Sequence, residues 1–305
     1  MGRKTEKIFN ELFKYLEQNS GEDLSDKEME LLVQKFMREH NGNIPDEVTE
    51  ETARTADDYL ELAEYADDEV SAVRYARKAL KLDPDNLDAE VTVANLTSKN
   101  PVNYLKKLER IIIHGDKLLQ KRGYTGEDSI GCYWKILETR PYMRVRMEYM
   151  MTLKECGMFR KAAAECEEII RLNENDNMGI RFTLIHLYAF LEEEQKALEL
   201  LKKYNEYDET QMMLGLSVLY FKLNNLEKSA SYLRRLAKIN EDTQKFFTAV
   251  LEGDTERYFD DMSDYGYRPS TIEDLLMGLS ENQELFETTL PYFPWAYDQL
   301  KTKKK

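Results

Sequence analysis

The strongest constraint in this chain is a self-similar period across residues 142–240. When Lys161-Ala162, Lys196-Ala197 and Ser229-Ala230 are aligned, the alanines fall 35 and 33 residues apart. Nine residues before each alanine stands a large residue: Leu153, Tyr188 and Phe221. Five before stands a turn-compatible one: Gly157, Glu192 and Asn225. Such a period is the mark of stacked supersecondary units, each unable to bury its apolar face alone. The small residue has a physical role, because two antiparallel helices approach closely only where a side chain is nearly absent.

The rest of the chain reads as helix too. Only 7 prolines and 13 glycines interrupt 305 residues, which favours helix throughout. Residues 5–19 carry a helical stripe of Ile8, Leu12, Phe13 and Leu16. Ser25-Asp26-Lys27-Glu28 is a capping box that opens a second helix. Residues 49–86 form another helix pair, with Ala72, Ala76 and Ala79 along its second member and Pro84 as the stop. Residues 88–98 predict a short helix, and Asn100-Pro101 caps a longer one. Gly123 to Gly131 is the weakest stretch and reads as a hinge. After Asn240 the regularity decays. Ser270-Thr271-Ile272-Glu273 predicts a further capping box, and Tyr292-Phe293-Pro294-Trp295-Ala296-Tyr297 predicts a cover for the last helix face. The expected organisation is a helical pair over 1–44, a repeat array over 45–240 and a degenerate repeat with a cap over 241–305.

Charge and motif content narrow the function classes. The formal net charge is −15, a surface that phosphate backbones repel, so no nucleic-acid partner is expected. Between Pro45 and Glu69 the acids Asp46, Glu47, Glu50, Glu51, Asp57 and Asp58, among others, face a single base, Arg54. That run reads either as a solvated helix face or as a docking site for basic partners. Lys106, Lys107, Arg110 and Lys117 make a local basic face. No run of 18 apolar residues occurs, so no membrane span is expected. Met1 to Glu6 lacks the apolar core of a secretory signal, and the expected compartment is the cytoplasm. The 3 cysteines and 3 histidines lack metal-ligand spacing. No metal, cofactor or catalytic residue is expected.

The period of about 34 residues with this helical punctuation resembles the tetratricopeptide repeat (TPR) family. The resemblance implies an all-α right-handed superhelix, an α-solenoid of antiparallel helix pairs. Two finer segments point further. Arg140-Pro141-Tyr142 with Arg144, and Leu172-Asn173 through Arg181, resemble bacterial TPR proteins related to the eukaryotic suppressor-of-tumorigenicity-seven group. Those proteins open with RPYxR and join repeats with LNPNDNxGxR. Glu174 stands here where that group has proline. The resemblance covers roughly residues 130–297 and implies no catalytic residues.

The TPR resemblance also implies that each first helix lines a concave groove. Groove positions then include Arg144, Met147, Met151, Phe182, His186, Met212, Leu219 and Lys222. Co-chaperone TPR domains grip a C-terminal carboxylate with Lys and Asn there, whereas this chain has mostly Met, Phe and Leu. A methionine-lined groove suits an apolar or amphipathic peptide; packing between repeats accounts for the same residues. Arg140, Arg144 and Arg181 could pair with Asp176 or Glu138 across adjacent loops, or could form an anion-recognising cluster. The leading expectation is a non-catalytic scaffold that binds a protein or peptide. The alternatives are a peptide-ligand-gated regulator and an enzyme with a site of scattered acids.

Overall fold

A computed structural model of the chain describes residues 6, 8, 12, 15, 16, 19, 26–40, 48–204, 207–260 and 266–301. Phe13 and Ser25 lie outside them. Among the described residues there are sixteen α-helices and no strand. None of these helices is long and apolar enough to cross a membrane. The chain divides into two compact units, Met1–Tyr124 with Lys135–Val145, and Thr125–Trp134 with Arg146–Lys305.

In the first unit, α1 spans Asp26–His40, α2 Ala56–Glu64, α3 Glu69–Leu82, α4 Leu87–Leu96 and α5 Pro101–Lys121. Consecutive members of α2 to α5 pack together. Their starts are written locally. Thr55 and Asp58 form a reciprocal capping box, Asp68 accepts from the Ser71 N–H, and Asn86 accepts from Ala89. Asn100 accepts from Asn103, with Pro101 in the first turn of α5. The alanines of α3 do what small residues on one stripe allow. Ala76 and Ala79 are fully buried, and Ala79 meets Leu60 of α2 and Ala89 of α4.

Helix α6, Arg140–Glu155, has its residues up to Val145 in the first unit and the rest in the second. The second unit continues with α7 Phe159–Leu172, α8 Ile180–Leu191, α9 Glu194–Lys203, α10 Thr210–Lys222 and α11 Leu226–Ile239. Helices α12 Thr243–Glu252, α13 Glu256–Asp260, α14 Ile272–Glu281, α15 Gln283–Glu287 and α16 Tyr292–Lys301 complete it. Again neighbours pair: α7 with α8, α8 with α9 and α10, α10 with α11. An antiparallel bridge between Cys132 and Asn173 ties residues 131–133 to the α7–α8 junction, with the Tyr133 N–H donating to the Leu172 carbonyl at 3.0 Å. Helix α16 covers α12 and α11. Its Tyr292, Phe293 and Trp295 stack around Phe221 and Phe247, as the aromatic end of the sequence predicts.

The repeat register needs one correction. Each helix pair turns through the same closure, an amide bond reaching five residues back to the end of the first helix: Met158 to Leu153, Glu193 to Tyr188 and Asn225 to Tyr220, at 2.8, 2.9 and 2.8 Å. The left-handed residue just before each donor is Gly157, Glu192 and Asn224. The third repeat is therefore equivalent through Tyr220, Asn224 and Ser229, one residue earlier than the Phe221, Asn225 and Ala230 alignment. Packing agrees, since Ser229 is fully buried and Ala230 is 7% exposed. Ser217 and Ser229 also exchange hydrogen bonds through each other's carbonyls at 3.1 and 2.7 Å. Leucine at Ala162, Ala197 or Ser229 is expected to overpack the contact and cost about 1–3 kcal/mol, with Ala230→Leu milder. Thermal melts of the four variants check this; a larger loss at Ala230 than at Ser229 would restore the sequence register.

The second capping box also shifts by one. Thr271, not Ser270, caps α14 by accepting from the Glu273 N–H at 3.2 Å, and Asp274 takes the Ser270 N–H at 3.0 Å. Glu273 is instead held by Arg268, whose backbone N–H donates to it at 2.8 Å.

Candidate functional site

The first unit holds a cleft of about 210 Å³ between α2, the α3–α4 turn, α5 and the start of α6. Its apolar floor comes from Leu87, Leu118 and Leu119, all buried. Tyr142 reaches this floor only because residue 115 is glycine. A Cβ there would lie 2.5 Å from the tyrosine ring. The Tyr142 hydroxyl donates to Asp116 at 2.5 Å.

The walls are acidic. Asp57, Glu61 and Glu64 come from α2, Asp83 and Asp85 from the α3–α4 turn, and Glu138 from the approach to α6. Helix periodicity explains the first group, since 57, 61 and 64 are one and two turns apart on one face. Two guanidiniums, Arg122 and Arg144, oppose them. Arg144 is already matched. Its Nε and Nη2 donate in a fork to the two Asp88 oxygens at 2.9 and 2.6 Å. Its Nη1 donates to both Glu6 oxygens at 2.9 and 2.8 Å. Burial alone would lower the Arg144 pKa, but Asp88 and Glu6 outweigh it and hold the group further above its usual range. Arg140 also reaches Glu6, at 3.5 Å. Beside the cleft, His114 lies between two carboxylates, with Nδ1 2.6 Å from Glu90 and Nε2 3.6 Å from Asp85. Burial raises the Glu90 pKa, with His114 acting against it. No group of His, Cys, Asp and Glu suited to a metal ion occurs among the described residues.

The other sequence-selected residues belong to the second unit. Arg181 does pair with Asp176, at 2.9 Å, and in addition forks onto Glu209 at 2.8 and 2.6 Å. It stacks over the Phe182 ring at 4.1 Å. Asp176, 3% exposed, also accepts the Ile180 and Arg181 backbone N–H groups at 2.7 and 2.9 Å, so it caps α8. Arg144 pairs with neither of its expected partners, Asp176 and Glu138; Asp88 and Glu6 are its partners instead.

Lys222 points at the C-terminal end of α8, where its Nζ meets the Ala189 and Phe190 carbonyls at 3.0 and 2.5 Å. Met147 and Met151 are 38% and 40% exposed, whereas His186, Met212 and Leu219 are buried. The His186 Nδ1 lies 2.7 Å from the Phe182 carbonyl, which makes it the N–H donor and leaves Nε2 bare. Burial lowers the His186 pKa to about 4. Helices α14 and α15 pack against α8, with α14 also on α10, and Phe286 of α15 lies against His186.

Sequence reasoning found Arg144 and missed the cleft around it. The available signals were Asp85 and Asp88, which bracket the start of α4, and the His114-Gly115-Asp116 triplet facing them. Comparison of the sequence with protein-family models finds no match, and comparison with curated proteins finds none.

Proposed function

We propose that this chain is a non-catalytic helical-repeat protein that binds a segment of another protein, and that the first unit's cleft receives a basic stretch of that segment. The observation that carries the reading is the mismatch of charge on the cleft wall. Arg144, the deep guanidinium, is neutralised by Asp88 and Glu6, while Glu64, Asp83 and Glu138 still face the opening. Charge complementarity of this kind sets the choice of partner and the association rate. The proposal includes a tetratricopeptide-type arrangement, with the right-handed superhelical sense expected for such pairs. The repeated turn closure at residues 157, 192 and 224 and the pairing of neighbouring helices support it. It places the protein in the cytoplasm, where its free cysteines remain reduced.

The test is fluorescence polarisation with a labelled Lys/Arg-rich peptide beside a Glu-rich one of equal length. The basic peptide is expected to bind saturably and to weaken with added salt. Glu64 and Glu138 are both exposed, so Glu64→Lys with Glu138→Lys should leave the fold intact and weaken binding about tenfold, or about 1.4 kcal/mol. Equal affinity for the two peptides would refute the reading.

A further inference from the structure

The second unit carries a helical segment seated across three successive first helices. Lys154 of α6 donates to the Glu281 carbonyl at 2.7 Å and to Asn282 Oδ1 at 3.1 Å, and pairs with Glu284 at 3.1 Å. His186 of α8 faces the Phe286 ring at 5.8 Å. Gln211 of α10 donates to Asp274 at 3.0 Å, and the lack of a side chain at Gly278 lets α14 close onto it. The segment anchors itself with Ile272, Leu275, Leu276, Leu285 and Phe286, all buried. Ile272, Leu275 and Leu276 have the i, i+3, i+4 spacing by which an amphipathic helix lies in a groove.

The seat is incompletely satisfied. His186 Nε2, Gln211 Oε1 and Thr289 Oγ1 are buried with no hydrogen-bond partner among the described residues. Buried polar atoms in native proteins are nearly all paired, and the two exceptions that face the segment, on His186 and Gln211, mark a fit that is good in its apolar contacts and poor in its polar ones.

We propose that α14 and α15 are a built-in occupant of this face, which an amphipathic helix of a partner protein with the same apolar spacing displaces. The face is distinct from the acidic cleft, and neither reading depends on the other. The energetic basis is differential: an incoming helix repeats the apolar contacts, and it gains wherever it supplies donors to His186 Nε2 and Gln211 Oε1.

The test uses the full chain and a fluorescein-labelled synthetic peptide with the sequence of residues 270–288 as probe. Glu284→Lys sets a like charge against Lys154 in the built-in segment alone, since the probe keeps its glutamate, and the variant is expected to bind the probe about tenfold more tightly than the unaltered protein does. In the unaltered protein, hydrogen exchange is expected to be about tenfold faster for the amides of α14 and α15 than for those of α10. Exchange of the two regions in step, or a folded Glu284→Lys variant that binds the probe no more tightly than the unaltered protein, would overturn the proposal. Should circular dichroism find that variant unfolded, the exchange comparison on the unaltered chain decides alone.

Discussion

Replacing Arg144 with alanine is expected to destabilise the protein by about 3–5 kcal/mol, because it leaves two buried carboxylates without their cation. The Glu6 and Asp88 side chains are 10% and 14% exposed, and the Arg144 side chain is 21% exposed. Among the described residues, the four short hydrogen bonds their carboxylates make all run to this one guanidinium. Arg140, at 3.5 Å, is too distant to take over. Removal of the whole cluster should cost less than removal of its centre, since neutral amides carry no uncompensated charge. The triple variant Arg144→Ala, Glu6→Gln, Asp88→Asn is therefore expected to recover much of the loss. An internal control is Arg160→Ala. Its pair with Glu193 is 75% and 37% exposed, and exposed pairs contribute roughly 0–1 kcal/mol. Denaturant titrations of these variants check the ranking. A single Arg144→Ala variant that unfolds at the same denaturant concentration as Arg160→Ala would show the cluster to be solvated and replaceable. Its carboxylates would then belong to the anionic wall that the proposed ligand meets.

The parts of the molecule legible in the sequence are those where the deciding chemistry lies within one turn. Asn100-Pro101 starts α5 because a side-chain acceptor and a ring-fixed φ act locally. Ala72, Ala76 and Ala79 lie on one stripe because of helix periodicity. The slip to Tyr220 and Ser229 was not legible, since Tyr220-Phe221 and Ser229-Ala230 offer two adjacent residues of similar bulk at each position. The backbone closure from Asn225 to Tyr220 and the fuller burial of Ser229 than Ala230 distinguish them. The cover over His186 was less legible still. Apolar spacing reports that a face wants burial, and it carries no label for the segment that does the burying. That segment stands far along the chain, at residues 272–287. The cleft had the same difficulty. Glu6, Asp88 and Arg144 are separated by many residues and become neighbours only through packing, so the sequence marked Arg144 without its carboxylate partners.

The buried imidazole at His186 supplies the second large effect, as a pH dependence. Histidine ordinarily titrates near 6.5, and burial lowers His186 to about 4. The nearby Lys154 ammonium adds to the lowering, and the Phe182 carbonyl, which accepts the Nδ1 proton, acts against it. The unfolded chain thus takes up a proton on this residue below about pH 6.5 that the folded chain refuses until about pH 4. Stability associated with the neutral ring is fully present above 6.5 and is lost as the pH falls toward 4. The shift corresponds to a loss of about 3 kcal/mol across that window. The ring faces Phe286 of α15, so the loss should appear first as loosening of the segment at residues 272–287. Other carboxylates titrate in the same range, among them Glu281, whose pKa burial raises. The informative quantity is therefore the difference between the unaltered protein and His186→Leu, which keeps an apolar side chain in place and has nothing to titrate. Urea unfolding at about pH 7, 6, 5 and 4.5 measures it. The unaltered protein is expected to lose about 2.4 kcal/mol relative to the variant between the ends of that series. A difference that stays constant across the series would mean that the proton reaches Nε2 in the folded state, and that the α15 cover over His186 already opens to water.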